Sequence, residues 1–391
     1  MDFTPTEEQS AAQGLAARIF GDLSTPERLA AAGTGTDTEL WKELCAAGLP
    51  AAVEDIGLLG LVLLLEEQGR TTAQVPFAAT CVYGVLAVAE HGTVEQRERL
   101  LPALYDGTAV ATGAFPARSG VRSAGGGGGG SGSGSGGGGG GVSGGSARAG
   151  LSGVVPYVPW LRDATHVLVA DADQRLWIVR TGDPGVTVLP VDTTAPWSAA
   201  RLVLDGAPGE RLGGAGGVDE GARTGMGAST STGASAGAYA SVLAAGRTAF
   251  AGLQAGVCAG SLARAVEHTV TREQFGRPLS TNQAVLLRAA DAHMDVEAIR
   301  VTAYEAAWRR DRQLAYTAQA LTAAWWASEA GKRVVHAGQH LHGGTGADLD
   351  HPVHRHFLWG RQLDAYLGCG SEVLQELGLL LTSTAGEREA S

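Results

Sequence analysis

Arg272, Gln283 and the pair Gly343-Gly344 are the residues whose types and spacing best suit anion binding. Arg272 stands at the end of an apolar-periodic stretch, just before Phe275-Gly276, which reads as a turn. A guanidinium placed there can fork onto a pyrophosphate, two N–H groups to two oxygens. Gln283 follows eleven residues later, at the opening of the next predicted helix, and can offer an amide to the same ligand. Gly343 and Gly344 let backbone approach a ligand closely, because no Cβ intervenes. The plainer alternative is a solvated charge at a helix end beside an ordinary turn. Each position alone favours that alternative; the three together favour a ligand.

Other chemistry-bearing residues point to less. Six of the ten histidines fall between His336 and His356. His336 and His340 are four apart on a predicted helix, a spacing two zinc ligands can use. No HExxH pattern accompanies them, so a loop or interface role is expected and no metal. Cys45, Cys81, Cys258 and Cys369 are scattered without a CxxC, which argues against a zinc ribbon, a redox pair or a disulfide framework. Residues 125–141 are only Gly and Ser. They lack the GK[ST] that a phosphate-cradling loop requires.

These residues must be positioned by a chain of 391 residues, enough for two to three domains. Lys plus Arg number 29 against 40 Asp plus Glu, a net charge of −11. That balance argues against a nucleic-acid partner or a polybasic membrane contact. The apolar fraction of 44% is enough for a sizeable core. The longest apolar run, Ile56 to Leu65, is half the length of a bilayer span and ends at Glu66-Glu67. The start is acidic and polar, unlike a signal peptide. The expectation is a cytoplasmic protein with no membrane span.

Three zones follow. Residues 1–108 read as an all-α domain: Thr6-Glu7-Glu8-Gln9 offers a cap, Asp55 a cap for the helix carrying Leu58 to Leu65, and Val94 to Pro102 a short amphipathic helix. Residues 109–211 read as a small antiparallel β domain. Its strand-like runs are Ala109 to Phe115, Thr165 to Ala170, Leu176 to Val179, Val186 to Pro190 and Arg201 to Leu204, and 125–141 is a Gly/Ser-rich insertion. Residues 212–238, rich in Gly, Ala, Ser and Thr, read as a flexible linker. Residues 239–391 read as a four-helix bundle, with helices from about Tyr239, Thr281, Leu314 and Arg361. The fold class is α+β.

Four segments carry a family resemblance. They are Glu66-Glu67-Gln68-Gly69-Arg70; His91-Gly92-Thr93-Val94-Glu95-Gln96 to Leu101-Pro102; Arg272-Glu273-Gln274-Phe275-Gly276-Arg277-Pro278-Leu279 with Gln283; and His342-Gly343-Gly344-Thr345-Gly346 with Pro352 and Arg355. In these, and in its α–β–α order, the chain resembles the acyl-CoA dehydrogenase family, with an N-terminal helical domain, a middle β domain and a C-terminal bundle. The resemblance implies α,β-dehydrogenation of an acyl-CoA thioester with FAD as cofactor and an electron-transfer flavoprotein as electron acceptor. It implies that Arg272, Phe275, Gln283, His340, Gly343, Gly344 and Cys369 are cofactor-binding, several of them toward the ADP half of a flavin shared across a dimer interface. His340 stands where the family usually has Gln.

The chain departs from the family where the chemistry should be. The reaction needs a carboxylate over the α carbon of the thioester. The family carries it in a Tyr-Glu-Gly-Thr turn, and here that turn reads Tyr366-Leu367-Gly368-Cys369. Some members carry it before an Arg on the first bundle helix, and here Gly246 precedes Arg247. Asp364 is the nearest weak suspect for a displaced base, and Glu372 reads as a helix-capping acid. The usual flavin contacts of the middle domain are also replaced, by Ala114-Phe115-Pro116-Ala117-Arg118-Ser119-Gly120 and by Val155-Pro156-Tyr157-Val158-Pro159-Trp160. Trp160 is a candidate to cover a flavin face, with a core position as the alternative. The resemblance therefore points to the base-lacking subunit of a heteromeric bacterial acyl-CoA dehydrogenase, partnered by a second dehydrogenase-like chain. The alternatives are a self-sufficient enzyme with a displaced base and a non-catalytic structural subunit. The small or apolar Gly246, Leu367 and Cys369 suit a bulky, ring-bearing acyl group.

Overall fold

The computed structural model describes residues 2–116, 120–124, 148–214 and 231–389. The Gly/Ser-rich insertion and residues 215–230 of the expected linker lie outside the described residues.

The first domain packs α1 (Glu7–Leu23), α2 (Pro26–Ala32), α3 (Thr38–Ala46), α4 (Leu49–Thr71), α5 (Phe77–Ala79), α6 (Ala87–His91) and α7 (Val94–Tyr105). A π-helical turn, Thr80–Leu86, joins α5 to α6. Thr6 caps α1 in a reciprocal capping box with Gln9, as its sequence predicts. Asp55 is not the cap expected of it. The α4 helix kinks at Gly57, where φ is +71°, and the restarted helix is capped from the bundle. There the Asp311 carboxylate accepts the Leu58 and Leu59 N–H groups at 2.8 and 2.9 Å.

The middle sheet has seven strands: β1 (Ala111–Ala114), β2 (Arg122–Ser123), β3 (Arg148–Val158), β4 (His166–Ala170), β5 (Leu176–Arg180), β6 (Val186–Pro190) and β7 (Ala200–Arg211). The order is β1-β4-β5-β7-β3-β2, and β6 pairs with β7 beside β5. The sheet is not wholly antiparallel: β1 and β4 run parallel, Ala111 opposite His166 through Ala114 opposite Val169. One face buries Leu151, Val155, Val167, Val169, Trp177 and Leu202 in a core of its own, while Leu168, Ile178 and Trp160 join the helical core.

The bundle comprises α8 (Ser231–Thr271), α9 (Gln283–Asp311), α10 (Thr317–Leu341), α11 (Pro352–Leu363) and α12 (Gly370–Glu389). Helix α8 begins inside the segment expected to be linker. The single helix expected from about Arg361 to Leu381 is two, broken at residues 364–369, where Gly368 takes φ +114°. Residues Gly237–Thr271 are long and apolar enough to cross a bilayer, yet 94% of their most apolar stretch is buried inside the fold. This is the burial expected of a helix at the centre of a bundle.

Two of the four family-like segments are docking devices. In the first, Glu66 is 2% exposed and takes a 3.0 Å bond from Arg300 of α9. Gln68 donates to the Ala73 and Val75 carbonyls, fixing the exit from α4. Gly69 of α4 faces α8 so closely that a methyl there would overlap the Leu253 carbonyl, and one at Gly256 would overlap that of Glu66. In the second, Thr93 and Gln96 form a capping box, and α7 does not stop at its proline as expected but runs through Pro102 to Tyr105. Gln96 also donates to Glu210 and to the Arg211 carbonyl, tying α7 to β7.

Candidate functional site

The third segment ends α8 and builds a small hairpin. Strands β8 (Glu273–Gln274) and β9 (Arg277–Pro278) pair antiparallel around Phe275 and Gly276, whose φ values are +54° and +77°. Positive φ at both turn positions is the geometry of a tight two-residue hairpin. It thrusts the Phe275 ring wholly into solvent. The Leu279 N–H donates to the Arg272 carbonyl at 2.9 Å, folding the hairpin back on α8. The Arg272 side chain is exposed and has no ion-pair partner among the described residues. Gln283 is the first residue of α9, exposed, after Asn282, whose side chain caps the helix.

The fourth segment ends α10. Gly343 has φ +63°, and open space surrounds both Gly343 and Gly344 where side chains would stand. His340 is exposed. His342, by contrast, is buried and stacks on His268 of α8, ring centres 4.7 Å apart. The structure therefore joins the third and fourth segments at one end of the bundle. Pro352 and Arg355 act elsewhere: Pro352 opens α11, and Arg355 bonds Thr72 and Gln74 of the N-terminal domain. His336 is on neither set; it packs edge-on against Phe357. Cys369 and Glu372 together open α12, the Cys369 N–H donating to the Glu372 carboxylate at 3.2 Å, as expected of a capping acid.

The two positions at which the family-like pattern would place a base meet in space. A Cβ built on Gly246 would lie 3.5 Å from Leu367 Cδ1, 3.3 Å from the Tyr83 hydroxyl and 3.7 Å from Val82 Cγ1. Leu367 is 6% exposed, and its carbonyl faces the Arg247 guanidinium at 3.4 Å. Arg247 is bidentate to Glu376 of α12 at 2.7 and 2.8 Å. Tyr83 and Tyr366 share a hydroxyl–hydroxyl bond of 3.0 Å. Burial pushes both phenols upward from their ordinary range, so both are neutral.

Asp364 is engaged by two neighbours. One of its oxygens accepts from Ser328 Oγ at 2.6 Å, and the other pairs with Arg361 at 3.2 Å.

Aromatic rings fill the surroundings. Trp160 is 1% exposed and stacks on Trp197 at 4.4 Å. Trp197 meets Trp359 and Tyr366 edge-on, and Tyr366 meets Phe250 at 4.7 Å. Phe115 lies between Tyr83 and Tyr239 at 5.2 and 5.6 Å. The sequence reading named Trp160 but missed Trp197, which sits in irregular chain between β6 and β7 with no motif around it. Trp160 is packed as a core residue would be, the alternative weighed for it, but its indole N–H and that of Trp197 are buried without a hydrogen-bond partner among the described residues.

Comparison with known proteins agrees with this architecture. Residues 6–108 match the model for the acyl-CoA dehydrogenase N-terminal domain, and residues 237–377 match that for the acyl-CoA dehydrogenase C-terminal domain. "Acyl-CoA dehydrogenase FadE27" of Mycobacterium tuberculosis is 33% identical over 98% of this chain and all of its own length. The chain belongs to the acyl-CoA dehydrogenase family. Acyl-CoA dehydrogenase FadE28 of the same organism is 28% identical over 97% of this chain and 98% of its own. Two solved structures are similar throughout. A single-site variant of the Tcur3481-Tcur3483 steroid ACAD has a TM-score of 0.83 at 37% identity, covering 97% of this chain and 99% of that one. The ChsE4-ChsE5 complex from Mycobacterium tuberculosis has a TM-score of 0.82 at 30% identity, covering 98% and 99%. Membership makes this acyl-CoA dehydrogenase family chain an oxidoreductase of acyl-CoA metabolism.

Proposed function

We propose that this chain is the base-lacking subunit of a heteromeric, FAD-dependent acyl-CoA dehydrogenase. It lends Arg272, Gln283 and the Gly343-Gly344 turn to the ADP half of an FAD whose ring system and catalytic carboxylate stand in a partner chain. The observation that carries this is the meeting of Gly246 and Leu367. Both positions for the base come together, and the groups nearest to a Cβ at Gly246 are a phenol, the Leu367 methyl and a valine methyl, none of them a carboxylate.

The fit to FAD divides by halves. Toward the ADP moiety the donor set is right: an unpaired guanidinium, an exposed amide and open glycine backbone can each serve phosphate oxygens. Toward the isoalloxazine it is wrong, because Trp160, Phe115 and Phe250 are packed against other rings. When bound, the flavin supplies a two-electron acceptor for hydride from the β carbon of the thioester. This chain's residues hold the diphosphate, fix its orientation and shield the partner's site from water.

The exposed Phe275, with Val266 and Val270 of α8 and Leu287, Met294 and Val301 of α9, supplies apolar surface for that partner. The last three recur every seventh residue, so they lie on one stripe of the helix. Relatives named as a steroid dehydrogenase pair and as a two-chain complex support both the heteromeric reading and a steroid-derived acyl-CoA as substrate. The electron acceptor proposed with it is an electron-transfer flavoprotein, as the family resemblance implies.

The test is to produce the chain alone and together with a partner dehydrogenase chain, and to record the flavin spectrum of each. Flavin in the co-produced sample only is the expected result. Flavin with turnover in the lone chain would overturn the shared site and revive a displaced base. No flavin in either sample would make the chain a structural subunit.

A further inference from the structure

Where the two ligand-facing segments meet lies a group of imidazoles that the reading above does not use. His268 stands one helical turn before Arg272, whose N–H donates to the His268 carbonyl at 2.8 Å. His342 immediately precedes Gly343. The two rings stack at 4.7 Å, and His351, at the start of α11, meets His342 edge-on at 5.0 Å. We infer that the His268–His342 stack is a proton-linked part of the diphosphate subsite, taking one proton from solvent when a diphosphate ester arrives beside Arg272. This rests on the reading of Arg272 and Gly343-Gly344 given above.

The hydrogen bonds say which rings can take that proton. His342 Nδ1 donates to the Gly338 carbonyl at 2.7 Å, so its Nε2 carries the free lone pair and can be protonated without losing a bond. His351 is committed the other way. Its Nδ1 accepts the Val353 N–H at 3.2 Å and caps α11, so protonation there would undo the cap. His268 makes no side-chain hydrogen bond among the described residues and is half-buried. The proton therefore belongs to the pair.

Partial burial, the neighbouring imidazoles and Arg272 hold His268 below its ordinary range. Partial burial, His342 and Arg264 do the same for His351, against Asp348. Glu267 faces Arg264 on α8. Arg264 and Arg272 are matched in number by Glu267 and Asp348, so an arriving diphosphate adds net negative charge beside the imidazoles and favours a proton there.

ADP-ribose is the probe, because its diphosphate is esterified at both ends and does not titrate near neutrality. Its binding is measured across pH 5.5 to 8.5, on the full chain alone and in complex with its partner, by calorimetry in two buffers of different protonation heat. The proposal expects uptake of about one proton and affinity falling as pH rises, by at most about tenfold per unit. His268→Gln should match the unaltered chain at the alkaline end, fall behind it at the acid end, and abolish the uptake. His342→Gln is the second variant. Binding that is independent of pH overturns the proton link and leaves the cofactor reading standing. If neither the chain nor the complex binds ADP-ribose or FAD, both readings fall.

Discussion

The end of the bundle and the cleft between the domains treat the same family pattern in opposite ways. At the bundle end Arg272, Phe275, Gln283, Gly343 and Gly344 all face outward, and their polar groups are unspent. In the cleft Leu367, Tyr366, Tyr83, Trp160 and Trp197 are buried and packed on one another: the two tyrosine hydroxyls share a bond, and the two indole rings stack with their N–H groups left unbonded. The two halves of a dinucleotide site are thus physically separable. A diphosphate needs donors at a wettable edge, where keeping them ready costs little. A planar ring needs an empty slot, which closes as soon as side chains large enough to fill it are present.

Four substitutions or conditions test that contrast, in order of expected effect. Leu367→Glu should be the most damaging. It buries a carboxyl beside neutral phenols, with the nearby Arg247 already paired to Glu376, and should cost roughly 3–5 kcal/mol, read as a fall in denaturation midpoint, with no dehydrogenation gained by the lone chain. A stable variant that turns over acyl-CoA without a partner would show that the cleft is open after all.

Next is acid. His356 is buried with one ring nitrogen 3.1 Å from the Pro352 carbonyl and the other 3.0 Å from that of Arg70; a neutral ring donates to one of them, and burial outweighs the pull of both carbonyls and pushes it down to about 4. The folded protein therefore keeps it neutral while the unfolded chain takes up a proton below about pH 6.5. Stability should be lost as pH falls from about 6.5 to about 4, by about 3 kcal/mol in all, and not further below that. Urea unfolding at a series of pH values checks this, and His356→Asn should flatten the slope.

Arg272→Ala should leave stability within about 0.5 kcal/mol. It should weaken flavin retention by the complex by tens of fold, or about 2 kcal/mol, read by equilibrium dialysis. An equal loss of stability and of flavin would mean that the bundle end is structural. The smallest effect is expected of Tyr366→Phe, which leaves the Tyr83 hydroxyl without its partner and should cost about 1–2 kcal/mol of stability.

What could be read in advance follows the same division. The long amphipathic helices and the cap at Thr6 were legible because each rests on local spacing. The outward residues were legible because a turn at Phe275-Gly276 and a glycine pair are local signals. Strand β3 was not, because Gly150, Gly153 and Pro156 interrupt its pattern. In the fold Gly150 pairs regularly with Pro208, while Gly153 and Pro156 mark irregularities of the pairing with β7, with register shifts between Leu151 and Gly153 and between Val155 and Val158. The parallel pairing of β1 with β4 and the cap at Leu58 depend on chain that is remote in sequence; Asp311 is 253 residues from the N–H it serves. The break at 364–369 did carry a signal, since Gly368 lies within it and Gly370 directly follows. The aromatic filling of the cleft carried none, because a Trp in a loop declares nothing about which other ring it will meet.

The close approach of α4 and α8 has a mechanical consequence. Gly252, Gly256 and Gly260 recur every fourth residue along α8, where added methyls would run into Val62, Glu66 and Arg70 of α4, and Gly69 meets the Leu253 carbonyl from the other side. Backbones meshed at this range leave no side chains to slide or tilt upon, so the two helices turn as one rigid shaft. The N-terminal domain has no pivot against the bundle along this line. Any breathing that admits a ligand between domains must be borne by the sheet and its loops, and a single methyl on the shaft would throw the whole N-terminal domain out of true.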